Sequence, residues 1–233
     1  MPRSARALLL DLDDTLYPLR RFRLSGFAAV ARHLARFHGV DEGEAFRALV
    51  SAWRGPTRGH EMGTVITRLG LRMPETELVR VYRSHEPVLR LPEATDRTLR
   101  RLRRTWKLAI VTNGIPAIQA AKIRALGLEH RVDTIVYASE WGAGEGKPER
   151  APFVEALRRL GVQASRAIAL GDDEFADVFG AARVGVHTIQ TREWRRDQPG
   201  PVAMCADAVI DHISEVPTVA DCLMPRELDL YAA

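Results

Sequence analysis

The chain has 233 residues, enough for one large domain or for a domain carrying an insert. A hydrophobic share of 46% and a charged share of 27% are those of an ordinary soluble globular protein, and the net charge of +4, carried by 31 Arg and 3 Lys against 30 acidic residues, is too small and scattered to specify a nucleic-acid partner. Two cysteines, Cys205 and Cys222, are too few for a disulfide framework or a metal-thiolate site and read as reduced thiols of a cytoplasmic protein, and no apolar run reaches the roughly 18 residues of a membrane span.

The first element is a strand. Ala7-Leu8-Leu9-Leu10 runs straight into Asp11-Leu12-Asp13-Asp14-Thr15-Leu16-Tyr17. A short continuous apolar run ended by polar residues reads as a strand of a parallel sheet buried on both faces. Ligands of such sheets bind at the carboxyl ends of the strands. Strand side chains alternate, so Asp11 and Asp13 share one side. Two unpaired carboxylates there repel each other and are costly to desolvate, and a divalent cation would relieve both costs. Taken alone, the pair reads more plainly as an acidic turn capping a strand. The residues before the strand lead into too short an apolar run for a signal peptide.

A helical block follows. Phe27, Val30, Leu34 and Phe37 mark one face of a helix that Gly39 stops. Asp41 caps the next, with Glu44 at the capping-box position, and Phe46, Leu49, Val50 and Trp53 form its apolar stripe until Gly55-Pro56. Two shorter helices span about Thr64 to Leu69 and Pro74 to Arg83. No strand pattern lies between Tyr17 and Leu91, so residues 17–89 read as an all-helical insert leaving the acidic end of the first strand. After Pro92 a helix, Glu93 to Arg104, presents Arg97, Arg100, Arg101, Arg103 and Arg104, read as a solvated face rather than a polyanion site. Strand and helix then alternate: strand Leu108 to Val111 ending in Thr112-Asn113-Gly114, a helix from Pro116 to Leu126, strand Thr134 to Ala138, a Gly-rich loop to Lys147-Pro148, a helix to Leu160, and strand Ala167 to Leu170 ending in Gly171-Asp172-Asp173. A short helix carries Asp177 to Arg183, and two strands lie near Val186 to Gln190 and Ala208 to Ile210. This rhythm predicts an α/β fold with a doubly wound parallel sheet.

The polar groups collect at strand ends that face one crevice: carboxylates for a hard cation, a hydroxyl with neighbouring N–H groups for an anion, and one ammonium. That set suits phosphoryl transfer. Lys147 stands out because the chain uses Arg almost everywhere else. Gly142, Gly144 and Gly146 imitate a phosphate loop, but no Ser or Thr follows Lys147 and the P-loop pattern fails.

The four motifs Asp11-Leu12-Asp13-Asp14-Thr15, Val111-Thr112-Asn113-Gly114, Gly146-Lys147-Pro148 and Gly171-Asp172-Asp173-Glu174-Phe175-Ala176-Asp177, in this order, resemble those of the haloacid dehalogenase (HAD) superfamily in its phosphatase branch. The stretch from Thr112 to Lys147 most resembles the 5′-nucleotidase and N-acylneuraminate-phosphatase subgroup. The resemblance implies a Rossmann-like core, residues 1–16 and 90–233, and a helical cap, 17–89. It implies Asp11 as nucleophile, Asp13 as general acid and base, and Thr112 and the Asn113 N–H as phosphoryl donors. Lys147 would offset the charge of phosphate and Asp11. Mg²⁺ would be held by Asp11, the Asp13 carbonyl and Asp172, with Asp173 and Asp177 acting on waters or on Lys147. Asp177 read alone could equally cap its helix, and Asn113 could merely serve a left-handed turn. Among the cap residues Tyr17, Arg20, Arg21, Arg58, His60 and Glu61, the candidates for substrate contact are Arg20, Arg21 and His60, each of which also reads as an ordinary solvated side chain. Asp13 sets the chain apart from the dehalogenase branch. The expected partner is a small phosphorylated metabolite, a sugar phosphate or nucleotide, with neither nucleic acid nor membrane. A phosphosugar mutase on the same scaffold is the alternative. A phospho-receiver domain has its acceptor Asp on a central strand of the chain order and lacks such an insert, and a non-catalytic relative would lack the nucleophile or the lysine.

Overall fold

The computed structural model describes residues 5–194 and 206–225. Its contacts divide the chain into two compact units, Met1–Pro18 with Arg90–Ala233, and Leu19–Leu89. Tyr17 and Pro18 thus go with the first unit.

The first unit is built on a six-stranded parallel sheet of order β3-β2-β1-β4-β5-β6, with β1 at Ala7–Leu10, β2 at Lys107–Thr112, β3 at Thr134–Tyr137, β4 at Ala167–Gly171, β5 at His187–Thr191 and β6 at Ala208–Ile210. β1 lies between β2 and β4, with Leu10 level with both Ile110 and Leu170. The strand order reverses at this point, which opens a crevice at the carboxyl ends of these three strands. β1 and β4 are buried at every position. That burial on both faces is why their sequences are apolar runs without alternation. Ala7, Leu9, Val111 and Ala169 pack one face against Phe153, Ala156 and Leu160 of a helix at Arg150–Leu160.

The second unit is all helical: α1 at Arg20–His38, α2 at Glu42–Arg54, α3 at Glu61–Arg68 and α4 at Glu75–Ser84. Gly39 ends α1 in the left-handed region at φ 66°, and the Asp41 carboxylate accepts from Glu44 N at 2.7 Å at the start of α2. The apolar faces differ in detail from the sequence pattern. Phe37 is 61% exposed, whereas Phe22, Gly26 and Ala31 join Phe27, Val30 and Leu34 inside. α2 buries Ala45, Ala48, Leu49 and Ala52, and Phe46, Val50 and Trp53 flank that seam half-buried. Small residues at the centre let helices approach closely, and larger ones wrap the margin. His33 Nε2 lies 2.6 Å from Glu77 Oε1 and ties α1 to α4.

In the first unit α5 spans Glu93–Leu102, α6 Pro116–Ala125, α7 Arg150–Leu160, α8 Gly180–Ala182 and α9 Val216–Leu223. On α5, Arg97 pairs with Glu93 at 3.0 Å and Arg100 with Asp96 at 2.7 Å, so part of the arginine patch is offset by its own helix. The helix expected from Asp177 to Arg183 is instead a π-helical turn, Glu174–Phe179, that runs into α8. Cys222 is an exposed free thiol, and Cys205 lies outside the described residues. Among the described residues no helix is long and apolar enough to cross a membrane.

Candidate active site

Asp11 continues β1 by one residue, its N–H donating to Leu170 O at 2.9 Å, and so stands at the carboxyl edge of the sheet. Leu12 turns into the core and is fully buried. Asp14 then takes φ 56°, a left-handed conformation that Asp tolerates better than most residues. Asp14 N donates to Tyr17 O at 3.0 Å, and this reversal brings Tyr17 back beside Asp13. The Tyr17 ring is fully buried and its hydroxyl donates to Asp13 Oδ1 at 2.6 Å. Burial, reinforced by the charge of Asp13, pushes this phenol above its ordinary pKa, so Tyr17 stays protonated and remains a donor.

Lys147 is held from behind. The Asn113 side-chain amide donates to Lys147 O at 2.9 Å, and Lys147 N donates to Asn113 Oδ1 at 2.8 Å. Gly146, at φ 83°, makes this possible, because a Cβ there would lie 2.6 Å from Asn113 Oδ1. The Gly-rich loop is therefore a fitted connector whose last glycine seats the lysine. The Lys147 side chain is 3% exposed, and Nζ donates to Asp11 Oδ1 at 2.7 Å and to Asp177 Oδ1 at 2.6 Å. Burial by itself would lower the ammonium pKa, but Asp11 and then Asp177 outweigh it and hold it above the usual lysine value. The Asp11 carboxyl is pushed up to about 7 by burial, with Lys147 opposing and the neighbouring Asp177 charge adding to the rise.

The acids after β4 divide the work. Asp173 caps the π turn, Oδ1 accepting from Phe175 N at 2.9 Å and Ala176 N at 2.7 Å. Asp177 is not the cap: Oδ2 accepts from Asp173 N at 3.1 Å while Oδ1 faces Lys147. Asp172 is buried, and Thr15 Oγ1 donates to its Oδ1 at 3.5 Å. One oxygen each from Asp11, Asp172 and Asp177 lie within 4.8 Å of one another. Gly171 sits behind Asp177 so closely that a Cβ would overlap that carboxylate. Gly171→Ala should push Asp177 off Lys147 and lower turnover by about 10- to 100-fold while far-UV circular dichroism stays unchanged, consistent with the cost of a small misplacement near the chemistry.

Thr112, the last residue of β2, is 1% exposed, and its Oγ1 accepts from Gln119 Nε2 at 2.6 Å. Gln119 Nε2 also donates to Asp13 Oδ2 at 3.0 Å, and Lys122 Nζ donates to Asp13 Oδ1 and Oδ2 at 2.9 and 2.7 Å. Neither Gln119 nor Lys122 was among the sequence candidates. The signal that could have found Lys122 is the one that favoured Lys147: the chain holds 3 Lys among 34 basic residues.

The first unit thus brings together Asp11, Asp13, Thr112, Asn113, Lys147, Asp172, Asp173 and Asp177. Arg20, Arg21 and His60 belong to the helical unit, Arg20 and Arg21 exposed in the first turn of α1 and His60 exposed just ahead of α3.

The haloacid dehalogenase-like hydrolase family model matches residues 5–185. The chain is 34% identical over 204 residues to ribulose-1,5-bisphosphate 5-phosphatase of Halopiger xanaduensis, covering 79% of this chain and 84% of that one. It is 30% identical over 208 residues to glyceraldehyde 3-phosphate phosphatase of Methanopyrus kandleri, covering 84% and 88%. Among solved structures, a magnesium-bound HAD-hydrolase from Bacillus subtilis superposes with a TM-score of 0.66 at 21% identity, covering 93% of this chain and 99% of that one. With the family model matching residues 5–185, the chain belongs to the haloacid dehalogenase-like hydrolase family.

Proposed function

We propose that the protein is a Mg²⁺-dependent phosphomonoesterase that works through an aspartyl-phosphate on Asp11. The observation that carries this reading is the convergence at one sheet edge of a buried carboxylate, Asp11, a lysine shared with Asp177, and a second carboxylate, Asp13, held by donors. Asp11 attacks phosphorus, and the bond to the leaving oxygen breaks as that oxygen takes a proton from Asp13. Water then attacks the aspartyl-phosphate, gives its proton to Asp13, and releases inorganic phosphate and the free Asp11 carboxylate. Thr112 Oγ1 accepts from Gln119 and donates only a long hydrogen bond, 3.4 Å, to Asn113 O, which a phosphoryl oxygen would replace as acceptor. Lys147 offsets the charge that collects between phosphate and Asp11.

An oxygen-only donor set with one ammonium among three carboxylates fits a hard divalent cation. Asp177 has one oxygen on Lys147 and the other on a backbone N–H, and Asp11 and Asp172, with the Asp13 carbonyl that the family resemblance supplies, are the residues that would hold Mg²⁺. When bound, the ion would neutralise phosphoryl charge. In the same reading the helical unit acts as a cap and Arg20, Arg21 and His60 select the substrate; changing each to Ala should raise KM several-fold with kcat nearly unchanged, as expected for ground-state contacts.

The names of the relatives direct the substrate search to small sugar phosphates such as glyceraldehyde 3-phosphate and ribulose 1,5-bisphosphate, beside nucleotides. Phosphate release across such a panel tests the reading. Activity should vanish with EDTA and return with Mg²⁺. A rate indifferent to the chelator would remove the metal, and isomerisation without free phosphate would make the enzyme a mutase.

A further inference from the structure

α6 has a buried face of the wrong polarity. Its buried residues are Gln119, Lys122 and Ile123, and the two polar ones stand one turn apart on the same side. Lys122 is 4% and Gln119 2% exposed. A buried ammonium is costly unless its charge is met, and a core helix that needed only to pack would carry apolar residues there. Both polar side chains reach the same carboxylate. Lys122 spans both oxygens of Asp13, Gln119 takes Oδ2, and Tyr17, from the turn after β1, takes Oδ1. Gln119 continues from Asp13 to the Thr112 hydroxyl with the same nitrogen.

We infer that Lys122, Gln119 and Tyr17 form a positioning clamp that fixes the carboxyl group of Asp13 for proton transfer to the leaving oxygen, with Gln119 coupling that position to the phosphoryl-binding hydroxyl of Thr112. This rests on the phosphomonoesterase reading above. A carboxyl group on a short side chain turns about two bonds, and a proton is delivered efficiently only from within hydrogen-bond reach of its acceptor. Donors on both oxygens, one from the turn after β1 and two from the helix that follows β2, remove that freedom. Lys122 and Tyr17 both donate to Asp13, whereas Gln119 donates to Asp13 and to Thr112, and the two cases differ in their consequences.

The leaving group separates them. An alkyl phosphate must have its departing oxygen protonated, while 2,4-dinitrophenolate leaves as a stable anion, and kcat/KM reports only the steps through departure. Lys122→Met should lower kcat/KM by about 10- to 100-fold for glycerol phosphate, part of what a general acid supplies, and by less than about threefold for 2,4-dinitrophenyl phosphate. Gln119→Leu should lower both, because it also releases Thr112. Tyr17→Phe deletes one hydroxyl and should repeat the selective loss of Lys122→Met at smaller size, which keeps the test decisive if Lys122→Met does not fold. An active wild type whose Lys122 and Tyr17 variants lose both esters equally, or neither, overturns the clamp and leaves the phosphatase intact. A wild type that frees phosphate from neither ester, nor from any sugar phosphate or nucleotide of the panel above, overturns the phosphatase reading and the clamp with it.

Discussion

Asp11→Asn should abolish phosphate release, by at least about 10³-fold, and leave a folded protein that is no less stable than the wild type. The amide has the size of the carboxylate but cannot attack phosphorus, and losing a nucleophile costs more than losing any positioning contact. The stability effect follows from the site itself. Burial pushes the Asp11 carboxyl up to about 7, so the folded chain favours the protonated form more than the unfolded chain does. A carboxyl raised in this way gives its full contribution to stability below its ordinary value of 3.8 and loses it as pH rises through about 7. Asn is neutral throughout. Without divalent cation, thermal melts of the variant and the wild type should therefore nearly coincide at pH 4 and diverge toward pH 8 in favour of the variant. Loss of activity with a lowered melting temperature at every pH would instead make Asp11 a structural residue.

Lys147→Met should damage both activity and stability. Nζ stands between Asp11 at 2.7 Å and Asp177 at 2.6 Å, and the lysine side chain is 3% exposed. Methionine fills the volume but leaves two carboxylates facing each other without the cation that serves both. Removing one partner of a buried ion pair typically costs about 3–5 kcal/mol. Urea unfolding at pH 7 measures that loss directly. Protonation of Asp11, whose carboxyl is already pushed up by burial, would relieve the repulsion, so the deficit should shrink toward pH 4. Turnover should fall by about 10³-fold or more, since the charge between nucleophile and phosphate is no longer offset. A stable, active Lys147→Met would sink the assignment of this lysine to the chemistry.

The sequence made the strand ends legible for a physical reason. β1 and β4 are buried on both faces, so each is an apolar run with no alternation, and the first polar residues after it, Asp11 and Asp172, mark the carboxyl edge of the sheet. Lys147, one of three lysines, could be singled out from an arginine-rich background. Helix caps such as Asp41 and stops such as Gly39 are local and were legible too. Which helix face turns inward was less so. Phe37 faces outward and alanines form the seam of α2, because close approach between helices selects small residues that carry little hydrophobic signal.

Local sequence determined the order of elements, the crevice at β1, β2 and β4, and the residues that line its edge, since period, capping and charge act over a few positions. Only the tertiary structure decided what those residues do for one another. It gave Asp173 the cap and Asp177 the lysine, turned Asn113 into the lock on Lys147, and brought Gln119 and Lys122 onto Asp13 from more than a hundred residues away. No short-range pattern encodes such partners. A buried charge is tolerable only where the fold supplies its counter-charge, and that supply comes from the packing of distant segments.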